Sequence, residues 1–259
     1  MLLLVASILV LFLLNLFLGS VHIPMDSIWN ILWGLDGDES VIWQNIIWKS
    51  RIPQSLTALV AGAGLAVSGL QMQTVFRNPL AGPSVLGISS GASLGVAFVV
   101  LLSGSIGGIA LSRLGFMGEI ALTVAAIVGA LSVMALIVYV SQKVHGNVTL
   151  LIIGVMIGYV ANAVIGVLKF FSVEEDIRAY VIWGLGSFAR VSGNQVTVFI
   201  CIMAVLLPLS FLLIKTLNLL LLGDAYARNL GLNIKRARLQ VIACSGVLVA
   251  IVTAYCGPI

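Results

Sequence analysis

Apolar residues fall in seven long runs, separated by stretches that carry nearly all of the charges. The runs cover about residues 2–18, 54–75, 84–102, 116–140, 148–168, 196–214 and 239–257. Crossing the hydrocarbon core of a bilayer takes about 17–25 helical residues. An open strand edge cannot face lipid, because its N–H and C=O groups find no partner there. The pattern therefore predicts an all-α, polytopic transmembrane helical bundle with about seven spans. The first run has no Lys or Arg ahead of it and no small-x-small site behind it, so it reads as a span and not as a signal peptide.

Composition strengthens this reading. The chain has 259 residues, of which 61% are hydrophobic and 8% charged, with a mean hydropathy of +1.19. A soluble domain carries about 25% charged residues, and far fewer cannot cover a surface facing water. Cys201, Cys244 and Cys256 all sit inside apolar runs with no metal-ligand or CxxC spacing, so they are expected to be small buried hydrophobes. The net charge of +4 suits loops beside anionic lipid headgroups and does not call for nucleic acid.

Residues 19–52 form an unusual linker, expected to lie externally along the membrane interface. It holds Trp29, Trp33, Trp43 and Trp48, and tryptophan favours the level where its ring is buried and its N–H stays wet. Asp26 is expected to cap a short helix whose Ile28, Ile31, Leu32 and Leu35 share one face. Pro53 is expected in the first turn of the second span, where a missing N–H costs nothing. Beyond it, Ala58, Gly62 and Ala66 recur every four residues. That spacing lets helices approach closely in lipid and predicts a central position for this span.

Residues 215–238 interrupt the apolar pattern between the last two runs. Gly223 precedes Asp224, a short helix is expected over Ala225–Leu230, Gly231 breaks it, and Lys235, Arg236 and Arg238 follow. Physics alone leaves two readings open: a solvated loop with basic anchors, or a rigid lever held between two glycine turns. If the chain starts in the cytoplasm, Arg77, Lys143, Lys215, Arg228, Lys235, Arg236 and Arg238 are internal. All five tryptophans, Trp183 included, then lie outside. Two short internal connections, Asn78-Pro79-Leu80 and Gly146-Asn147, read either as tight helix joints or as constrictions of a path. Pro79 keeps Asn78 out of helical conformation. Asn162, alone and polar within a span, reads as a helix–helix hydrogen bond.

Other patterns carry less. Gly87-Ile88-Ser89-Ser90-Gly91 fits G-x-S-x-G, but it opens an apolar helix, and the only histidines are His22 and His145. Acidic groups at Asp36, Asp38, Glu39 and at Glu174, Glu175, Asp176 read as solvated loops. No G-x-x-x-x-G-K-[ST] is present, so any ATP would be used by separate subunits. An ion-gradient-driven secondary transporter is the alternative reading. Such carriers keep buried ionisable groups, and the spans offer only Glu119 and Lys169 near their ends.

Several segments together resemble the FecCD/BtuC-like permease family of ABC importers. They are Arg51-Ile52-Pro53 with the glycine-rich helix behind it, Arg77-Asn78-Pro79-Leu80-Ala81, Leu86-Gly87, Trp183-Gly184-Leu185-Gly186-Ser187, the 223–238 insert, and Gly257-Pro258-Ile259. The resemblance implies a permease of the bacterial cytoplasmic (inner) membrane importing iron-siderophore, haem or cobalamin-type metal chelates. It implies no cofactor on this chain, pairing with an identical or paralogous permease, two ABC ATPase subunits inside, and an external substrate-binding protein. Gly223, Asp224, Ala227, Arg228, Leu230 and Gly231 would form the ATPase-coupling segment. Arg51 and Lys49 would dock the binding protein, although the family's second arginine position holds Gln54 here. Asn78, Pro79, Leu80, Gly146 and Asn147 would form the cytoplasmic gate. The family pattern also implies further spans after Ile259, so the single permease domain 1–259 is expected to be C-terminally incomplete, with about seven of ten spans.

Overall fold

The computed structural model describes residues 2–34, 41–106, 116–144, 147–191 and 193–259. Among these, every regular element is a helix. Five helical stretches are long and apolar enough to cross a membrane: Val41–Phe76, Met117–Lys143, Thr149–Phe170, Asn194–Phe211 and Ile234–Cys256. Two shorter apolar helices, Leu2–Phe17 and Ile88–Leu102, accompany them. Each of the seven apolar runs thus lies in a helix, and the ends shift by a few residues except at the second run, whose helix begins at Val41. The chain divides into two compact units. One comprises Met1–Val60 with Ser187–Cys201, and the other Ala61–Gly186 with Ile202–Ile259.

The first unit opens with α1 (Leu2–Phe17) and α2 (Met25–Trp33). Ile28 and Ile31 of α2 pack with Ile23 and Ile47 in a small apolar core, while Trp29, Trp33 and Trp48 remain exposed. The N-cap of α2 is Pro24, and Asp26 lies inside the first turn without a capping bond. This corrects the expected cap: the carboxylate acts on the helix dipole and not on a free N–H. Leu35 and the acids at 36, 38 and 39 lie outside the described residues.

Pro53 is not at a helix start. α3 (Val41–Ile46), a π-turn over Ile47–Arg51 and α4 (Ile52–Phe76) form one continuous helix. Proline has no N–H to donate, and its ring clashes with the carbonyl four residues back. The turn before Pro53 is widened, with the Ile52 N–H reaching the Ile47 carbonyl five residues back. At 1.5 Å per residue, 36 residues exceed a bilayer core of about 30 Å. The end of the linker is therefore an extension of the second span. The π-turn carries Arg51, which is 5% exposed. Its guanidinium donates to the carbonyls of Leu16 (2.6 Å), Phe17 (3.3 Å) and Val21. It thereby caps the C-terminus of α1, where carbonyls lack helical partners.

The second unit is built around α5 (Ile88–Ile106), which packs against α6 (Phe116–Lys143), α7 (Asn147–Phe170), α8 (Glu174–Gly184) and α12 (Ile234–Cys256). Gly91 and Gly95 of α5 meet Ala125 and Gly129 of α6 backbone to backbone. A Cβ on Gly95 would collide with the Ala125 carbonyl, and one on Gly129 with that of Gly91. Such close contact is how helices gain packing energy in lipid. α4 meets α12 through Ser68 and Ser245, whose hydroxyls lie 2.6 Å apart. The packed face of α4 holds Ala61, Ser68 and Met72, while Gly62 and Ala66 are exposed. The stripe expected to be buried is therefore offset by part of a turn from the one that is. Asn162 also lies on an exposed face, of α7.

Candidate functional site

The segment after α9 (Asn194–Phe211) folds as helix, turn, helix, turn: α10 (Ile214–Leu221), α11 (Asp224–Asn229), then α12. Pro208 lies inside α9 three residues before its end. Leu220 seats α10 in the core of the second unit. Two left-handed glycines then set the corners, Gly223 at φ +109° before α11 and Gly231 at φ +83° after it. An L-residue with a side chain resists that region. α11 starts one residue earlier than expected, at Asp224.

Only Ala227 of α11 is buried, beneath the short helix among the core residues. Its N–H donates to the Gly223 carbonyl, and the Leu232 N–H closes the segment on the Ala227 carbonyl, both at 2.9 Å. Tyr226 and Leu230 point outward, 69% and 62% exposed. Arg228 is also exposed. The unit is thus anchored by one small residue, and it presents an aromatic ring, an isobutyl group and a cation on the outer side.

Asp224 ties this segment to two others. Its Oδ1 accepts from Arg77 Nη2 at 2.7 Å, and its Oδ2 accepts from Arg238 Nη2 at 2.7 Å. Arg77 also donates to the Leu220 carbonyl at 3.3 Å, at the end of α10. Arg77 follows α4 and is the described non-glycine residue with positive φ, +50°, a conformation that turns the chain sharply out of the helix. One carboxylate therefore joins the end of α4, the start of α11 and the start of α12. Sequence reading placed Asp224 at the helix start but missed this bridge, because Arg77 lies 147 residues away and no local spacing signals it. It also missed Asn233, whose side chain accepts from the Arg236 N–H at 3.1 Å and caps α12. An Asn six residues ahead of the apolar run, with charged residues between, was the available signal. With that cap, Lys235, Arg236 and Arg238 stand on the helix itself and not in a preceding loop.

The loop after Arg77 is a compact turn. Asn78 Oδ1 accepts from the Leu80 N–H at 2.9 Å, the Asn78 carbonyl accepts from Ala81 at 3.0 Å, and Gln73 Nε2 donates to the Pro79 carbonyl at 3.2 Å. Ala81 is buried, whereas Leu80 is 87% exposed. Of the second expected constriction, Gly146 lies outside the described residues, and Asn147 is the first residue of α7. Arg51, expected at a docking surface, uses its donors inside the protein as described above. Lys49 is exposed.

Two other segments singled out in the sequence meet in space. Gly186 (φ +65°) and Gly257 (φ +82°) pack against each other. A Cβ on Gly257 would fall 2.8 Å from the Trp183 carbonyl oxygen, and one on Gly186 2.8 Å from that of Pro258. Trp183 is buried.

The FecCD transport family model matches residues 7–259. The hemin transport system permease protein HmuU of Yersinia pestis is 34% identical over 255 residues, which cover 97% of this chain and 73% of that protein. The vitamin B12 import system permease protein BtuC of Pectobacterium atrosepticum is 33% identical over 233 residues, covering 89% and 65%. This chain thus spans about two thirds to three quarters of the length of these relatives. A solved structure described as an inward-facing conformation of a metal-chelate type ABC transporter superposes with a TM-score of 0.77 at 29% identity, over 97% of this chain and 74% of that one.

Proposed function

The chain belongs to the FecCD transport family, and from that membership we propose that it is a transmembrane permease subunit of a bacterial ABC importer for metal chelates. The substrate class is iron-siderophore, haem or cobalamin, in keeping with the haem and vitamin B12 permeases it resembles. It sits in the cytoplasmic membrane, pairs with a second permease, and receives its cargo from an external binding protein. Arg51 and Lys49 are its docking residues, and of the two Lys49 has the exposed side chain. ATP is hydrolysed by two separate subunits on the cytoplasmic side.

The observation that carries the coupling assignment is the double pairing of Asp224. An ATPase gripping the exposed Tyr226 and Leu230 would push a helix that cannot move alone. Its displacement passes through Asp224 to Arg77 at the end of α4 and to Arg238 at the start of α12. A ligand shifts a conformational equilibrium only through different affinities for its two states. The nucleotide-driven closure of the ATPases supplies that difference here. The turn Asn78-Pro79-Leu80 begins one residue after Arg77, so the same stroke would move the gate.

The experiment is Asp224→Asn in vesicles reconstituted with the ATPase subunits and the binding protein. Partly exposed ion pairs contribute about 0.2–1 kcal/mol each to folding, so the variant should assemble. ATP-driven chelate uptake should fall about tenfold, the loss of 1.4 kcal/mol of coupling, while ATP hydrolysis continues. Uptake at the wild-type rate would remove Asp224 from the coupling route.

A further inference from the structure

A cavity of about 520 Å³ opens among the C-terminal end of α6, α11 and the first turns of α12. Four cations line it, Arg228, Lys235, Arg236 and Arg238. Asp224 is the acid among the described lining residues, and it is already shared between Arg77 and Arg238. Lys235 and Arg236 occupy the first turn of a 23-residue helix, at the positive end of its dipole. Cations are disfavoured there, so an anion in the cavity would relieve both the helix end and the mutual repulsion of the side chains. Arg238 adds a second, independent sign: its Nε is buried and has no acceptor. Leaving a buried donor unmet is costly, more so on a charged group.

The floor is of different chemistry. Phe76, Leu150 and Ile242 are buried and apolar. A free phosphate would satisfy the rim and leave this floor wet. A headgroup followed by methylenes would meet both. We infer that this cavity binds the phosphodiester headgroup of an anionic phospholipid, with the glycerol and first acyl carbons against the floor. Because Arg228 stands on α11 and Arg236 on α12, one bound phosphate braces the short helix against the span.

The test is native mass spectrometry of the purified protein in micelles doped with phosphatidylglycerol or phosphatidylcholine. Basic residues attract anionic lipid, so phosphatidylglycerol should be retained about tenfold better, a difference of about 1.4 kcal/mol. The double variant Lys235→Gln, Arg236→Gln should lose that preference, and Lys235→Arg, which keeps the charge, should retain it. Both side chains are exposed at the rim, so folding is preserved. Equal retention of the two lipids, or a preference unchanged in the double variant, would overturn the assignment. Complete displacement of the lipid by glycerol 3-phosphate would also overturn it, by showing that the floor takes no part. So would loss of ATPase binding by the double variant with lipid retention intact, which would give the pocket to an acidic segment of the ATPase.

Discussion

At Gly129 the backbone of α6 lies against the backbone of α5, and there is no room for a side chain. At Gly62 on α4, a Cβ would meet nothing within 4 Å. The two glycines therefore predict opposite outcomes. Gly129→Leu forces the helices apart, and overpacking of this kind costs about 1–3 kcal/mol or more. Gly62→Leu faces open space in this chain and should not destabilise it, the gain in helix propensity being up to about 0.8 kcal/mol. Thermal unfolding in detergent, followed by circular dichroism, distinguishes them. Equal melting temperatures for the two variants would mean that the α5–α6 contact is not the close crossing described. The same contrast explains a limit of sequence reading. Ala58, Gly62 and Ala66 have the right spacing, but spacing cannot say which way a face points. Gly64, two residues on, is the glycine that faces Met203 and Val252, and nothing in its local pattern separates it from Gly62.

The helices over the seven apolar runs, five of them long enough to cross a membrane among the described residues, were legible because a long apolar run in lipid must satisfy its own backbone. Their ends were less so. α12 begins at Ile234, five residues before the apolar run, because the Asn233 cap starts the helix through charged residues. α4 reaches back through Arg51 because a π-turn absorbs Pro53 where a fresh helix start had been expected. That turn carries a prediction of its own. Pro53→Ala restores an N–H that can bond the Lys49 carbonyl, so the widened turn should close to an ordinary α-turn. Removing one residue of bulge rotates everything before it by about 100°, one residue of a 3.6-residue turn. Arg51 would then leave the α1 carbonyls it caps. Hydrogen exchange should show protection in the last turn of α1, Leu14–Phe17, falling several-fold, whereas exchange rates matching the wild type would mean that the π-turn is held by something other than Pro53.

At the scale of the molecule, the proposed route of coupling depends on sidedness. The motor must reach α11 from the cytoplasm, and the binding protein must reach the opposite side. Charge counts in the loops favour the chain starting inside by a small margin, seven Lys and Arg against six, and the rule weighs residues close to span ends. Burial decides where a probe can be placed. Ala227 is fully covered, so a cysteine there would report packing and not sidedness. Tyr226, its neighbour on the exposed side of the same helix, suits the purpose. Tyr226→Cys is to be made in a background lacking Cys201, which is exposed on α9 and not buried as its apolar run predicts. A second cysteine at Lys49 in a separate variant provides the opposite face. A membrane-impermeant maleimide applied to intact spheroplasts should label the Lys49→Cys chain and spare Tyr226→Cys. Inverted vesicles should reverse that pattern. Labelling of Tyr226→Cys from outside would place α11 and its Asp224 bridge beyond the reach of any cytoplasmic ATPase. The ion pairs would then be structural, and the coupling surface would have to be sought at the other ends of the helices.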